Sequence, residues 1–196
     1  MRPNYAQDPP PTEITVGGFS YTVNTDYRLW IDVLGMMKSL ITAPSTMEHM
    51  MHNTDIIREM EIKVFGKTIP HPAAEVLNAV SAFSMGYPEA PVGEGENSVQ
   101  TYSFDYDLNY IIIAIRNQSG IDLSYRRKEP FHWWEFLLEF RALCGEHYIL
   151  RLMSIRGYDG KDKDMQRQAR RFALPRETTA DDQAILDEFD SLFFNA

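Results

Sequence analysis

Two imidazoles stand three residues apart in His49-Met50-Met51-His52, with Glu48 beside them, a spacing at which one helical face could ligate a metal ion. The pattern lacks the glutamate position of a zinc-protease motif, and nothing in the sequence brings His71 near as a third ligand. Solvated histidines on a polar face are the plainer reading. His132 beside Trp133 and Trp134, with Glu135 and Glu139 one turn apart, has the makings of an acid/base site in an aromatic pocket. Aromatics at helical spacing more often fill a core, where indole N–H and imidazole groups find backbone partners. Cys144 has His147 three residues on across Gly145, which is no convincing base, so a small buried thiol is expected. Gly93-Glu94-Gly95-Glu96 places anions where an incoming phosphate would be repelled. No catalytic residue, metal or cofactor is expected, and the chain reads as a non-enzyme.

Two charged segments point instead to partners. Residues 161–176 carry six basic and two acidic side chains, among them Lys161, Lys163, Arg167, Arg170 and Arg171. Asp162 and Asp164 interrupt the run and no aromatics interleave it, so a solvated helix face is preferred to a nucleic-acid site. A third reading is an acidic protein surface, the chain's own tail or a neighbouring copy. Residues 177–196 carry six acidic side chains and no basic ones, while Ile185, Leu186, Phe189, Leu192 and Phe193 share one helical face. That stripe is too apolar to stay in water, and it docks either on its own domain or in a partner's groove. The candidate partner-binding residues are therefore Lys161, Arg167, Arg170, Arg171 and these five apolar side chains.

The elements that must position these groups follow from composition and punctuation. The chain has 196 residues, 44% hydrophobic and 24% charged, with a formal charge of −9 and one cysteine, which excludes pervasive disorder and a disulfide framework. Negative charge argues against wholesale nucleic-acid binding, and no run approaches the roughly 18 to 20 apolar residues of a membrane span. The first residues lack the apolar core of a signal peptide. Alternating residues 13–16 and 19–23 around Gly17-Gly18 predict a β-hairpin. Helices are expected over about 26–41, from Ser45-Thr46 to about 61, from 73 to a stop at Gly86, and from an Asp105 or Asp107 cap to Gly120. Further helices are expected from Pro130 to Gly145, over 147–155, over 161–172 and over 178–194. The fold class is mainly α, a small helical domain with an N-terminal β-hairpin. Expected segments are a flexible proline-rich arm over 1–12, a hairpin-plus-helix part over 13–86, a flexible loop over 87–100, a helical part over 101–175 and an acidic tail over 176–196. The expected core comprises Trp30, Phe104, Ile112, Trp133, Trp134, Leu137 and Phe140, with the tryptophan helix central.

Four blocks carry a family resemblance: Tyr102-Ser103-Phe104-Asp105-Tyr106-Asp107, Gly120-Ile121-Asp122-Leu123, Phe131-His132-Trp133-Trp134-Glu135-Phe136 and Met153-Ser154-Ile155-Arg156. With Val23-Asn24-Thr25-Asp26-Tyr27-Arg28-Leu29-Trp30 ahead of them, they resemble the bacteriophage gene-product-fifteen proteins over about residues 13–175. The resemblance implies a siphophage or prophage protein encoded near the tape-measure gene. It implies a tail assembly chaperone that coats the tape-measure protein in the host cytoplasm before tail-tube subunits polymerise around it. Self-association, or pairing with a second tail assembly chaperone, accompanies that reading. The alternative it leaves open is a structural virion protein, a tail-completion or connector subunit retained in the particle. The family has no agreed active site, so it assigns no catalytic residue.

Overall fold

The computed structural model describes residues 5–41, 44, 46–87 and 100–175. The chain is mainly helical, with seven helices among the described residues after an N-terminal antiparallel hairpin. It divides into two compact units. Among the described residues, the first comprises those up to Gly86 together with His132–Trp134, and the second those from Tyr87 to Phe131 and from Glu135 to residue 175.

In the first unit, β1 (Glu13–Val16) pairs with β2 (Phe19–Thr22) in the register Glu13↔Thr22 to Val16↔Phe19. Gly17 and Gly18 take φ of 57° and 84°, the left-handed pair that matches a tight turn to the twist of its strands. Alternation buries Ile14 and Val16 while Glu13 and Thr15 face outward. Gly17 has a second reason to lack a side chain, since a Cβ there would lie 2.6 Å from the His71 ring, which itself bonds the Tyr21 hydroxyl at 2.8 Å. Gly17→Ala is expected to destabilise by at least about 1–2 kcal/mol from the backbone alone. The melting temperature should fall by about 3–6 °C, and by less for Gly18→Ala, where nothing lies within 4 Å of the added carbon.

Helix α1 (Tyr27–Lys38) is capped by Asp26, whose carboxylate accepts from the Arg28 N–H and holds the Arg28 guanidinium at 2.5–2.9 Å. That pairing raises the Arg28 pKa from its ordinary value. Helix α2 (Met47–Phe65) begins at a Thr46 cap and ends at left-handed Gly66, a turn beyond the expected stop near residue 61, because the glycine and not the mixed apolar period ends it. Asn53 of α2 spans the chain at Ile41, accepting from its N–H at 2.9 Å and donating to its C=O at 2.8 Å. Helix α3 (Ala73–Ser84) starts from Pro72, whose carbonyl accepts the N–H groups of Glu75 and Val76. Trp30, Val33, Met60, Val64, Val76 and Val80 are buried, and Trp30 stacks on Phe83 at 4.6 Å.

In the second unit, α4 (Phe104–Ser119) ends at left-handed Gly120 as expected, but its cap is Ser103 and neither expected aspartate. Ser103 Oγ accepts from the Asp105 N–H, which leaves Asp105 in the first turn and frees Asp107 for another partner. Ile111, Ala114 and Ile115 take the inward face, so Ile112, expected in the core, is rotated about 100° from Ile111 and only half-buried. Helix α5 (Trp133–Arg141) is much shorter than the expected span from Pro130 to Gly145. Its Phe136, Leu137 and Phe140 are buried, and half-buried Phe104 meets Phe136 and Phe140 at ring distances near 6 Å. Past its end, the Gln118 amide donates to the Ala142 carbonyl at 3.0 Å and accepts from the Cys144 N–H at 2.9 Å, satisfying backbone groups that no helix serves. Helices α6 (Tyr148–Arg156) and α7 (Lys163–Phe172) follow, the latter capped by Asp162. Among the described residues no helix is long and apolar enough to cross a membrane.

Candidate interaction site

Four of the five blocks that carry the family resemblance meet in two pairs. In the second unit, Arg156 at the end of α6 holds Asp107 of α4 through two bonds, NH1 to Oδ2 at 2.6 Å and NH2 to Oδ1 at 3.1 Å. The side chains are 9% and 2% exposed, so this is a buried, bidentate ion pair. Arg156 also donates to the Thr101 carbonyl at 3.1 Å and, through Nε, to the Phe172 carbonyl at the end of α7 at 2.8 Å. Asp107 accepts in addition from the Ser103 N–H at 3.0 Å. One guanidinium thus ties the start of α4 and the ends of α6 and α7 together.

In the first unit, Trp133 and Trp134 donate their indole N–H groups to the carbonyls of Ser84 and Phe83, at 2.9 and 2.8 Å. Both carbonyls stand at the end of α3, and that of Phe83 also accepts the Gly86 N–H at 3.2 Å. Thr25 accepts from the Trp133 N–H at 2.7 Å, and Asp26 forms a β-bridge with His132. His132 Nδ1 accepts from the Trp134 N–H at 3.0 Å, which fixes the ring proton on Nε2, where it is donated to the Pro11 carbonyl at 2.9 Å. Both ring nitrogens are engaged by backbone. This is also why α5 starts late: His132 is held in the bridge to Asp26, and its imidazole caps the helix.

The exposed groups lie elsewhere. Lys161, Arg167, Arg170 and Arg171 are all exposed on or just before α7, none of whose residues is buried. Ile185, Leu186, Phe189, Leu192 and Phe193 lie outside the described residues. Missed from the sequence is a row on the outer face of α4, Tyr106, Tyr110 and Ile113, continued by Tyr148 of α6, all between 42 and 52% exposed. Their spacing of four, then three, was the signal that could have revealed them. In the first unit, α2 exposes Met47, Met50 and Met51. The half-buried Asp122 carboxyl sits below its ordinary pKa because the Ser124 N–H and hydroxyl hydrogen-bond it.

His52 shares its neighbourhood with Ser39, whose carbonyl lies 3.2 Å from Nε2, and His49 is half-buried on the preceding turn. Among the described residues no group of three or more His, Cys, Asp or Glu side chains is placed to hold a metal. Cys144 is exposed and not buried as expected, because Gln118 holds its backbone at the surface while Leu143 turns inward. A thiol-specific reagent is therefore expected to modify the native protein to one equivalent without denaturant, read by the released chromophore.

No curated protein and no solved structure matches the chain. The family model described as Bacteriophage Gp15 protein matches residues 7–174, which reach into both units and include all the paired blocks. The chain belongs to the bacteriophage Gp15 family.

Proposed function

We propose that this protein is a non-enzymatic phage tail assembly chaperone, which binds the tape-measure protein in the host cytoplasm and keeps it soluble until the tail tube forms around it. The observation that carries the reading is family membership over 7–174, together with the blocks whose resemblance implies that role. The physical chemistry supports it. A long helix with exposed apolar stripes aggregates unless covered, and this chain offers apolar side chains on helical surfaces, Met47, Met50 and Met51 on α2 and the tyrosine row on α4. Its charge of −9 would keep a complex of several copies in solution.

Co-expression with the tape-measure protein encoded near it tests the proposal, by soluble yield and by complex mass from size exclusion with light scattering. The expected result is a tape measure that is soluble only with this chain, in a complex of several copies, and mass spectra of purified particles that lack it. A chain that ignores the tape measure and is recovered in the particle would instead be a structural tail component.

A further inference from the structure

Tyr106, Tyr110 and Ile113 repeat at i, i+4 and i+7 along α4, and are 52, 42 and 46% exposed. Tyr148, at the start of α6 in the same unit, sets its ring edge-on to Tyr110 with 4.8 Å between centroids and widens the apolar surface on that side. The other side of the stripe is polar. At 3.6 residues per turn, Asp105, Asn109 and Arg116 fall within about 40° of one another beside Tyr106 and Ile113, and all three are exposed. The carboxylate stands in the first turn of α4 and the guanidinium in its last, about 16 Å apart along the axis, at the two ends of one edge.

We infer that this face of α4 is the contact surface for a second copy of the chain, which packs its own α4 against it antiparallel about a two-fold axis. The charge pattern selects both the occupant and the direction. Setting Tyr106 against the second copy's Ile113 brings Asp105 within about 3 Å, along the axis, of the second copy's Arg116, and the two-fold repeats the pair at the other end. Parallel packing would set like charge against like at both ends. The stripe is therefore complementary to its own reverse, apolar against apolar over about 10 Å and bounded by two pairs of opposite charge. Tyrosine and arginine together are the composition of a binding hot spot, in contrast to singly scattered surface apolar residues. Within one copy the Ser103 hydroxyl donates to Asp105 at 3.4 Å and Arg116 bears on Asp122 through its charge, and neither contact takes Asp105 or Arg116 out of solvent. Four half-exposed side chains per copy make a small interface, so the dimer is a reversible one, with a Kd of about 10 μM. The inference rests on the stripe alone and stands whether or not the protein is a chaperone; in that reading the dimer covers these side chains when no client does.

Sedimentation velocity and light scattering of the full chain, with no other protein present, test it. Between about 1 and 300 μM the mass is expected to rise from 22.7 kDa towards twice that value and to stop there. Tyr110→Asp is expected to hold the chain at the monomer mass across the same range. Asp105→Lys and Arg116→Glu, each at an exposed position, are expected to raise the Kd at least fivefold when made singly, since each sets like charges opposite one another at both ends. The dimer should return when the two substitutions are combined in one chain, and again when the two single variants are mixed in equal amounts, because both arrangements restore opposite charges across the contact. Circular dichroism melts show whether each variant is folded, and should Tyr110→Asp loosen α4, the charge exchanges carry the test by themselves. A monomer at every concentration, a mass that climbs past the dimer, or a dimer indifferent to all of these substitutions would overturn the inference. So would single charge variants whose weakening neither combination rescues, since antiparallel pairing requires that rescue.

Discussion

Replacing Arg156 by alanine is expected to lower folding stability by about 3–5 kcal/mol, the range for removing one partner of a buried ion pair. The loss comes from what is left behind. The Asp107 side chain, 2% exposed, would lose the guanidinium and keep its bond from the Ser103 N–H, and the carbonyls of Thr101 and Phe172 would lose the Arg156 donor. Arg156→Lys is expected to recover little, since one ammonium cannot span both carboxylate oxygens and two carbonyls that face different ways. Asp107→Ala should destabilise about as much as Arg156→Ala, and the double variant less than the sum. Urea unfolding followed by circular dichroism, run as a double-mutant cycle, checks all three. Additive losses would show that the pair is not the coupled unit its geometry describes.

Trp133→Ala is expected to lower stability by about 3–5 kcal/mol as well, by a different route. The indole is 1% exposed, so its removal opens a cavity, and the Ser84 carbonyl at the end of α3 loses its donor. Trp133→Phe separates the two contributions. It fills much of the volume and supplies no N–H, so a residual loss of about 1–3 kcal/mol is the share of the unsatisfied carbonyl. Thermal and urea unfolding of the two variants reads the difference directly, and equal stability of Trp133→Phe and the unaltered chain would assign the indole N–H no role.

The hairpin and the helix stops were legible because they rest on local chemistry. Gly17-Gly18 and Gly120 sit where only a left-handed residue closes the turn, and Asp26 and Thr46 sit where a short side chain reaches a free N–H. What the sequence hid were the partners between distant segments. Asp107 has the local signature of a cap, and nothing in its neighbourhood reveals a guanidinium forty-nine residues away. His132 lies in a run whose apolar period continues through it, yet its ring caps the helix from outside, held by its bond to the Pro11 carbonyl and the bridge to Asp26. The exposed row on α4 was hidden by its buried neighbours, since Ile111 and Ile115 satisfy the same periodicity one face over. The tryptophans showed plainly as core residues; the carbonyls they serve did not.

The return of His132–Trp134 to the N-terminal unit sets an order on the birth of the protein. A ribosome that has released Gly86 has delivered the hairpin and three helices, but the indoles that close the last of those helices wait behind the forty-five residues from Tyr87 to Phe131. His132 meets Pro11 across 121 positions of chain, the kind of distant closure that slows folding relative to a simple helical bundle. A nascent chain halted anywhere before residue 134 therefore presents an unfinished surface to whatever is nearby, and the first half of the sequence matures only after much of the second half exists.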